Sequence, residues 1–132
     1  MFEFCSSLTS FSSNLSSMTY GSYMFEYCES LTSFLSDLSV LDNGNSMFYS
    51  CSSLTSFSSD LPALTNGNNM FNKCKLNKES SLRVLNTIPT HTDGKSHKLT
   101  IGIDKTLQND AEVLAAINNA KTKGWTVTTQ WN

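Results

Sequence analysis

Residues 47–69 read MFYSCSSLTSFSSDLPALTNGNN, and this stretch is the clearest copy of a unit that recurs through the first half of the chain. Residues 1–23 and 24–46 follow the same pattern, and MFNKC at 70–74 begins it once more. The register is marked by cysteine, which recurs every 23 residues at Cys5, Cys28, Cys51 and Cys74. A fixed period of roughly 20–50 residues is typical of proteins that stack one structural unit on the next.

Each unit keeps large apolar residues at the same positions. In the clearest copy these residues are Met47, Phe48, Cys51, Leu54, Phe57, Leu61 and Leu64. A disordered serine-rich segment has no reason to keep such a register over three copies, so we expect this half to fold. LTSFSS at 54–59 favours a short strand that adds one rung to a parallel ladder. TNGNN at 65–69 has the composition of a turn. The apolar spacing of three or four from Leu61 to Cys74 favours a short helix or helical turns.

The pattern changes after residue 76. Leu82, Leu85 and Ile88 have helical spacing, and Pro89 is placed to end that helix. Apolar and other residues alternate over 99–103 and 125–131, as in strands. We expect a helix between them, with Asn109 or Asp110 as its N-cap and Gly124 just after its end. A strand, a helix and a strand in this order indicate a parallel crossover. We therefore expect repeats over 1–76 and a C-terminal βαβ region over 77–132 that continues the ladder, with Trp125 and Trp131 closing its end.

The pattern C-x-x-L-x-x-F, followed by L-x-x-L-x-x-G-x-x-M-F-x-x-C, resembles the leucine-rich repeats of bacterial surface proteins, in particular the BspA-like group with its MFxxCxxL signature. The resemblance covers residues 1–76. It implies an α/β leucine-rich-repeat solenoid with a parallel strand ladder and, here, a C-terminal βαβ cap. It also implies a location on the cell surface or outside the cell. The string KLTIGIDKTL…GWTVTTQWN is similar to a C-terminal module of repeat proteins from gut bacteria and their phages.

Charge and hydropathy exclude several classes of partner. The chain has 9 Lys and Arg residues against 11 Asp and Glu residues, and residues 1–72 contain no Lys or Arg. The repeat half is therefore acidic and would repel phosphate backbones, so we expect no nucleic-acid binding. No apolar run approaches the roughly 20 residues of a membrane helix, and residues 1–25 lack the features of a secretion signal. We expect no membrane insertion.

The candidate chemical sites have simpler explanations. Four cysteines could bind zinc or form disulfides, but equivalent residues on successive rungs lie about 4.8 Å apart in a line. A line of thiols does not converge on one ion, so we expect reduced cysteines buried in the core. His91 and His97 flank Asp93 in a polar loop, and the sequence indicates no further partner for a metal or catalytic site. No phosphate-binding loop or catalytic constellation is present, so we expect no enzyme, cofactor or metal.

One face of the predicted strands is a candidate binding surface. If Leu54 and Phe57 point inward, their neighbours and the equivalent residues of the other units face outward. This outward set is Ser10, Ser12, Ser33, Leu35, Ser56 and Ser58. Such concave ladders suit recognition of a protein or glycan partner, although this one lacks an aromatic or Arg anchor and could be only a soluble surface. We expect a non-enzymatic interaction or scaffold module, or alternatively a structural spacer or assembly domain of a larger protein.

The first unit lacks a polar cap, which the terminal repeats of such stacks normally need. It would expose the apolar residues Phe2, Leu8, Phe11 and Leu15. We therefore expect the chain either to be a fragment of a longer protein or to rely on a partner at this end. Self-association through the first unit is the corresponding prediction for the isolated chain.

Overall fold

The computed structural model describes residues 1–132 and contains two parallel three-stranded sheets and two α-helices. The strands of the first sheet are β1 (Ser10–Phe11), β2 (Ser33–Phe34) and β3 (Ser56–Phe57). The strands of the second sheet are β4 (Gly67–Leu76), β5 (His97–Ile103) and β6 (Trp125–Trp131). Helix α1 (Lys78–Thr87) links β4 to β5, and a 3₁₀ turn (Lys105–Leu107) and α2 (Ala111–Thr122) link β5 to β6. The mixed α/β class with parallel strands agrees with the prediction.

The first sheet shows the 23-residue period directly. Ser10 lies opposite Ser33, which lies opposite Ser56, and the phenylalanines that follow are paired in the same register. Each strand has only two residues, fewer than LTSFSS predicted. Serine hydroxyls supply further bonds between units beyond the strands. The Leu38 N–H donates to Ser59 Oγ at 2.7 Å, for example.

A second ladder of hydrogen bonds joins successive units. It runs along the segment that begins at Gly21 in the first unit and at Gly44 in the second. The N–H groups of Gly21, Tyr23, Phe25 and Tyr27 donate at 2.8–3.0 Å to the carbonyl groups of Asn43, Asn45, Met47 and Tyr49. The same bonds recur one unit later, at 2.9 Å. Residues with a left-handed backbone bend this segment at two positions that recur every 23 residues. One series is Phe4, Tyr27, Ser50 and Lys73, and the other is Tyr23, Ser46 and Asn69.

The prediction of helical turns from Leu61 to Cys74 was wrong for most of that segment. Gly67–Leu76 is the strand β4, which pairs with β5. The apolar spacing of three or four residues comes from the left-handed bends at Asn69 and Lys73, and not from an α-helix. Backbone N–H groups in this segment donate to a neighbouring unit or strand. In an α-helix the same N–H groups would donate to carbonyl groups of the helix itself.

Residues 77–132 form the helices and strands that the sequence predicts. Asn77 caps α1 by accepting from the Ser80 N–H at 2.9 Å, and Asp110 caps α2 by accepting from the Val113 N–H at 3.1 Å. Helix α1 takes the next position beside β3, since the Phe57 N–H donates to Ser80 Oγ at 2.8 Å. On the other side, β4 continues the second ladder into β5 and β6. Neither helix is long and apolar enough to cross a membrane.

A single hydrophobic core of 30 buried residues runs through both halves of the chain. Two rows of phenylalanine face each other inside the repeats. One row is Phe2, Phe25, Phe48 and Phe71, and the other is Phe11, Phe34 and Phe57. Neighbouring rings within a row are stacked, with their centroids 5.3–5.8 Å apart. Contacts between the rows are edge-on, as at 5.3 Å between Phe25 and Phe34. The predicted inward orientation of Leu54 and Phe57 is confirmed, because both are buried.

The cysteines form the expected line through the core, with one exception. Cys28, Cys51 and Cys74 are fully buried free thiols, whereas Cys5 is only half-buried. The prediction that all four are buried is therefore wrong for Cys5, because no unit packs on the outer side of the first one. Burial raises the pKa of Cys51 to about 12, and burial also raises the pKa of Cys74 well above its usual value.

Candidate functional site

The outward strand face lies where the sequence places it. Ser10, Ser33 and Ser56 form one row in register across the first sheet. The exposed members of the predicted set are Ser10, Ser12, Leu35 and Ser58, while Ser33 and Ser56 are half-exposed. Some of the bordering hydroxyls are already used within the chain, since Thr32 Oγ1 donates to the Thr9 carbonyl at 3.0 Å. The predicted set consists of serine hydroxyls and the exposed Leu35, without an aromatic anchor.

A row of aromatic side chains lies along the second ladder of the repeats. We call Phe4, Tyr27 and Tyr49 the aromatic row. The rings of Phe4 and Tyr27 are stacked with centroids 5.0 Å apart, and Tyr27 meets Tyr49 edge-on at 5.5 Å. The Lys73 ammonium lies 5.5 Å from the centre of the Tyr49 ring and ends the row with a positive charge. Phe4 is 66% exposed, and the two tyrosines are half-buried.

The backbone of the second ladder presents this row. Phe4 and Tyr27 have φ values of 59° and 58°, and each precedes the cysteine that enters the core. Left-handed residues other than glycine are strained, and here the hydrogen bonds between units hold them in place. The Tyr27 N–H, for example, donates to the Tyr49 carbonyl at 2.8 Å. The row thus stands on a rigid part of the repeats.

Acidic residues border the aromatic row at its first two units. Glu3 and Glu26 occupy equivalent positions. The pKa of Glu26 is raised, mainly by its burial and to a lesser extent by the neighbouring Glu3 carboxylate. Lys73 is at the other end, so the row runs from a negative to a positive border. Sequence reasoning missed this surface. The signal for it was the recurrence of aromatic residues between MF and Cys in the first three copies of the unit.

A second cluster lies at the loop before β5. His91, Asp93 and His97 each place a potential ligand atom within 4.8 Å of the others. The two imidazole rings are stacked with centroids 3.7 Å apart and an interplanar angle of 13°, and Trp125 packs against both. The sequence predicted only a polar loop without further partners. The structure adds the partners, because the loop folds back on the turn at Leu64 and Thr65.

Hydrogen bonds fix both histidines. His97 is buried, with Nδ1 2.9 Å from the Thr65 carbonyl oxygen and Nε2 2.9 Å from Asp93 Oδ1. His91 Nε2 lies 3.0 Å from the Leu64 carbonyl oxygen. The bond to the Thr65 carbonyl, and after it the bond to Asp93, raise the pKa of His97. The bond from His97, and after it the Lys95 N–H, lower the pKa of the Asp93 carboxyl.

An open recess adjoins this cluster. Its lining is entirely polar and consists of Asp42, Thr65, Asn66, Asn68, Asp93, Lys95, Ser96, His97 and Lys98. Two carboxylates, of Asp42 and Asp93, and two ammonium groups, of Lys95 and Lys98, line it, so the recess has no strong net charge. It contains no pair of groups arranged as a nucleophile and its base.

Comparison with known families gives one match. A family model described as a BspA type leucine rich repeat region (6 copies) matches residues 1–100. The match includes the three units, β4, α1 and the beginning of β5, which is more of the chain than the visible repeat covers. No curated protein and no solved structure matches the chain.

Proposed function

We propose that this chain, which belongs to the BspA-type leucine-rich repeat family, is a non-enzymatic module that binds a partner through the surface of its repeats. Repeat stacks commonly recognise partners over extended surfaces that several units build together. The family supports a repeat-based interaction role. The identity of the partner, a location on a bacterial cell surface and a bacterial or phage-encoded origin are parts of the proposal that rest on the resemblance of the sequence.

The proposed architecture is a leucine-rich-repeat solenoid over residues 1–76 with a βαβ cap over 77–132. Two ladders of hydrogen bonds at the 23-residue period support the solenoid. The cap is supported by β5 and β6, which extend the sheet from β4, and by α1, which lies beside β3. Trp125 is 3% exposed in this region, as expected for a residue that closes a core.

The observation that carries the binding proposal is the aromatic row. Exposed aromatic side chains on a rigid support are typical anchors of protein interfaces, since they bury large apolar areas with little loss of conformational entropy. Phe4 stacks on Tyr27, and Tyr27 meets Tyr49 edge-on, so neighbouring rings cover ring faces inside the row. A sugar ring stacks best on an open aromatic face. A protein partner therefore suits the row better, and a glycan is the alternative.

The repeats themselves supply matched variants to test this proposal. Ser50 and Asn72 occupy the positions equivalent to Tyr27 and Tyr49 one unit later. The double variant Tyr27→Ser and Tyr49→Asn therefore introduces residues that the same backbone already holds. The control is Ser33→Ala and Ser56→Ala on the outward strand face.

The experiment measures binding of purified chain to arrays of extracellular proteins and of glycans. We expect a protein ligand whose affinity falls at least about tenfold in the tyrosine variant and stays unchanged in the serine control, because an aromatic hot spot contributes about 2 kcal/mol or more. The opposite result, with loss only in the serine variant, would move the site to the outward strand face. A glycan ligand sensitive to the tyrosines would keep the site and change the partner class.

The structural alternative is a spacer or assembly domain. An apolar groove at the first unit, lined by Met1, Phe2, Phe11, Leu15, Met18 and Met24 among others, favours this reading. A large apolar surface of this kind is typical of an interface. End-to-end association of copies would then be the function of the repeats.

A further inference from the structure

We propose that His91, Asp93 and His97 form a zinc-binding site. The three residues supply two imidazole nitrogens and one carboxylate oxygen, with a potential ligand atom of each within 4.8 Å of the others. The site would clamp the loop before β5 to the turn at Leu64 and Thr65, which belongs to the third unit. It is separate from the aromatic row, so it does not depend on the partner-binding proposal.

The bonds to backbone carbonyls use one nitrogen of each ring, and the other nitrogen of His97, Nε2, holds a proton shared with Asp93 that a metal would displace. A backbone carbonyl can only accept, so His97 Nδ1 donates to the Thr65 carbonyl at 2.9 Å and His91 Nε2 donates to the Leu64 carbonyl at 3.0 Å. This assigns the lone pairs for coordination to His97 Nε2 and His91 Nδ1. Histidines that ligate metals commonly donate their other N–H to a carbonyl in this way, which fixes the ring and its tautomer.

The Asp93 carboxylate is already close to the position of a ligand. Its Oδ1 and Oδ2 atoms lie 2.9 and 3.1 Å from His97 Nε2. Bonds from zinc to nitrogen and oxygen of about 2.0–2.2 Å at a tetrahedral angle require a separation of roughly 3.4 Å, so this pair must open by only about half an ångström. The ion then takes the place of the proton between the two groups, and that proton leaves to solvent.

Movement within the loop completes the site. The two rings are stacked and nearly parallel, with an interplanar angle of 13°, so their in-plane lone pairs do not yet converge. His91 is the less buried of the two and tilts to bring Nδ1 toward the ion. Residues 92–96 are exposed, which leaves Asp93 free to adjust. His97 is held in β5 and packed against Trp125, and it stays in place.

The donor set selects the ion. Two imidazoles and one carboxylate suit Zn²⁺, with water as the fourth ligand, whereas Ca²⁺ and Mg²⁺ prefer sites built only from oxygen. Lys95 and Lys98 line the adjoining recess and oppose a cation there, so affinity must come from coordination and not from a negative field. An ion that binds the folded chain only would raise its thermal stability.

The test uses two site variants and two controls, Asp37→Asn and Cys5→Ser, all in the full chain. His91→Gln keeps an N–H for the Leu64 carbonyl and removes the imidazole ligand, and Asp93→Asn removes the carboxylate at an exposed position. The matched control is Asp37→Asn. Asp37 Oδ1 accepts from the Ser39 N–H at 2.9 Å, as Asp93 Oδ1 accepts from the Lys95 N–H at 3.0 Å, so the control removes an acid from the same kind of turn. Because Asp93 is exposed and His91 is only partly buried, we expect these variants to fold.

Calorimetric titration of chelator-treated protein with zinc chloride is the main measurement, together with the melting temperature and the visible spectrum of the cobalt(II) form. We expect one zinc per chain, a higher melting temperature with zinc and a four-coordinate cobalt spectrum. His91→Gln and Asp93→Asn each weaken zinc binding at least about tenfold, as the loss of a group from a metal site does. Asp37→Asn and Cys5→Ser bind like the unmodified chain.

Two results would overturn the proposal. One is the absence of stoichiometric zinc binding by the unmodified chain. The other is binding that survives in both His91→Gln and Asp93→Asn but is lost in Cys5→Ser, which would place the ion at the exposed thiol of the first unit.

Discussion

The Cys51 thiol donates its hydrogen to the backbone carbonyl of Phe25, with Sγ 3.1 Å from the oxygen. The same contact joins Cys28 to Phe2 at 3.0 Å and Cys74 to Phe48 at 3.2 Å. Each thiol therefore ties its unit to the preceding one at a buried carbonyl group. A small residue with a weak donor fits this position, which explains why cysteine recurs there in successive units.

Native thiol reactivity is expected to separate Cys5 from the other three cysteines. Cys5 is half-buried, whereas the others are fully buried and donate to carbonyl groups. Thiol titration should count one reactive group in native protein and all four after denaturation, since reaction requires an accessible thiolate. Rapid native reaction of Cys51 or Cys74, or a disulfide in the native protein, would contradict the burial of the line.

The stability of the chain should fall at alkaline pH partly through Cys51. Its pKa is raised from 9.0 to about 12 on folding. When folding raises the pKa of a group, the contribution of that group to the free energy of unfolding is complete below the unfolded-state pKa. This contribution is lost as the pH rises toward the folded-state pKa. The window is therefore pH 9 to 12, with a slope of at most about 1.4 kcal/mol per pH unit from one thiol.

The measurement is the free energy of unfolding between pH 8 and pH 10 for the unmodified chain and for Cys51→Ala. The difference between the two should shrink as pH rises, because only the unmodified chain carries this thiol. Parallel curves would show that Cys51 ionises equally in the folded and unfolded states.

Phe57→Ala should destabilise the fold by roughly 3–5 kcal/mol, as deletion of a buried aromatic ring does. Phe57 is 1% exposed and contacts Phe34, Phe48 and Phe71 with ring centroids 5.0–5.8 Å apart. Denaturant unfolding measures the effect. Leu35→Ala is the control, because Leu35 is 54% exposed and surface changes usually stay within about 0.5 kcal/mol. A loss of that small size for Phe57→Ala would contradict the stacked core.

The first unit is expected to be a site of self-association. Met1 is 89% exposed, Phe2, Leu8 and Leu15 are only half-buried, and β1 is an edge strand. Unpaired strand edges beside apolar surface are templates for another chain. Hydrogen exchange over residues 1–15 should be fast in dilute monomer and slow down as concentration rises. Leu15→Asp should remove this concentration dependence. Strong protection of residues 1–15 in a strictly monomeric sample would refute the prediction.

Local pattern and repetition were sufficient to predict much of the fold from the sequence. The period of Cys5, Cys28, Cys51 and Cys74, the inward side chains of Leu54 and Phe57, and the helices and strands after residue 76 all follow from apolar spacing, caps and turn residues. Each of these signals acts within a few residues along the chain, and three copies of the unit reinforce it. The outward position of Ser10 and Ser58 follows from the same alternation.

Contacts between residues far apart in sequence decided the rest. Gly67–Leu76 is a strand because β5, whose residues are about 30 positions later, takes its hydrogen bonds, although its apolar spacing alone favours a helix. The aromatic row depends on left-handed bends that only the neighbouring unit holds in place. The cluster of His91, Asp93 and His97 depends on carbonyl groups at Leu64 and Thr65. The sequence by itself therefore determined the unit and its buried face, and the tertiary structure decided which polar and aromatic side chains meet, because their partners lie one repeat or more away.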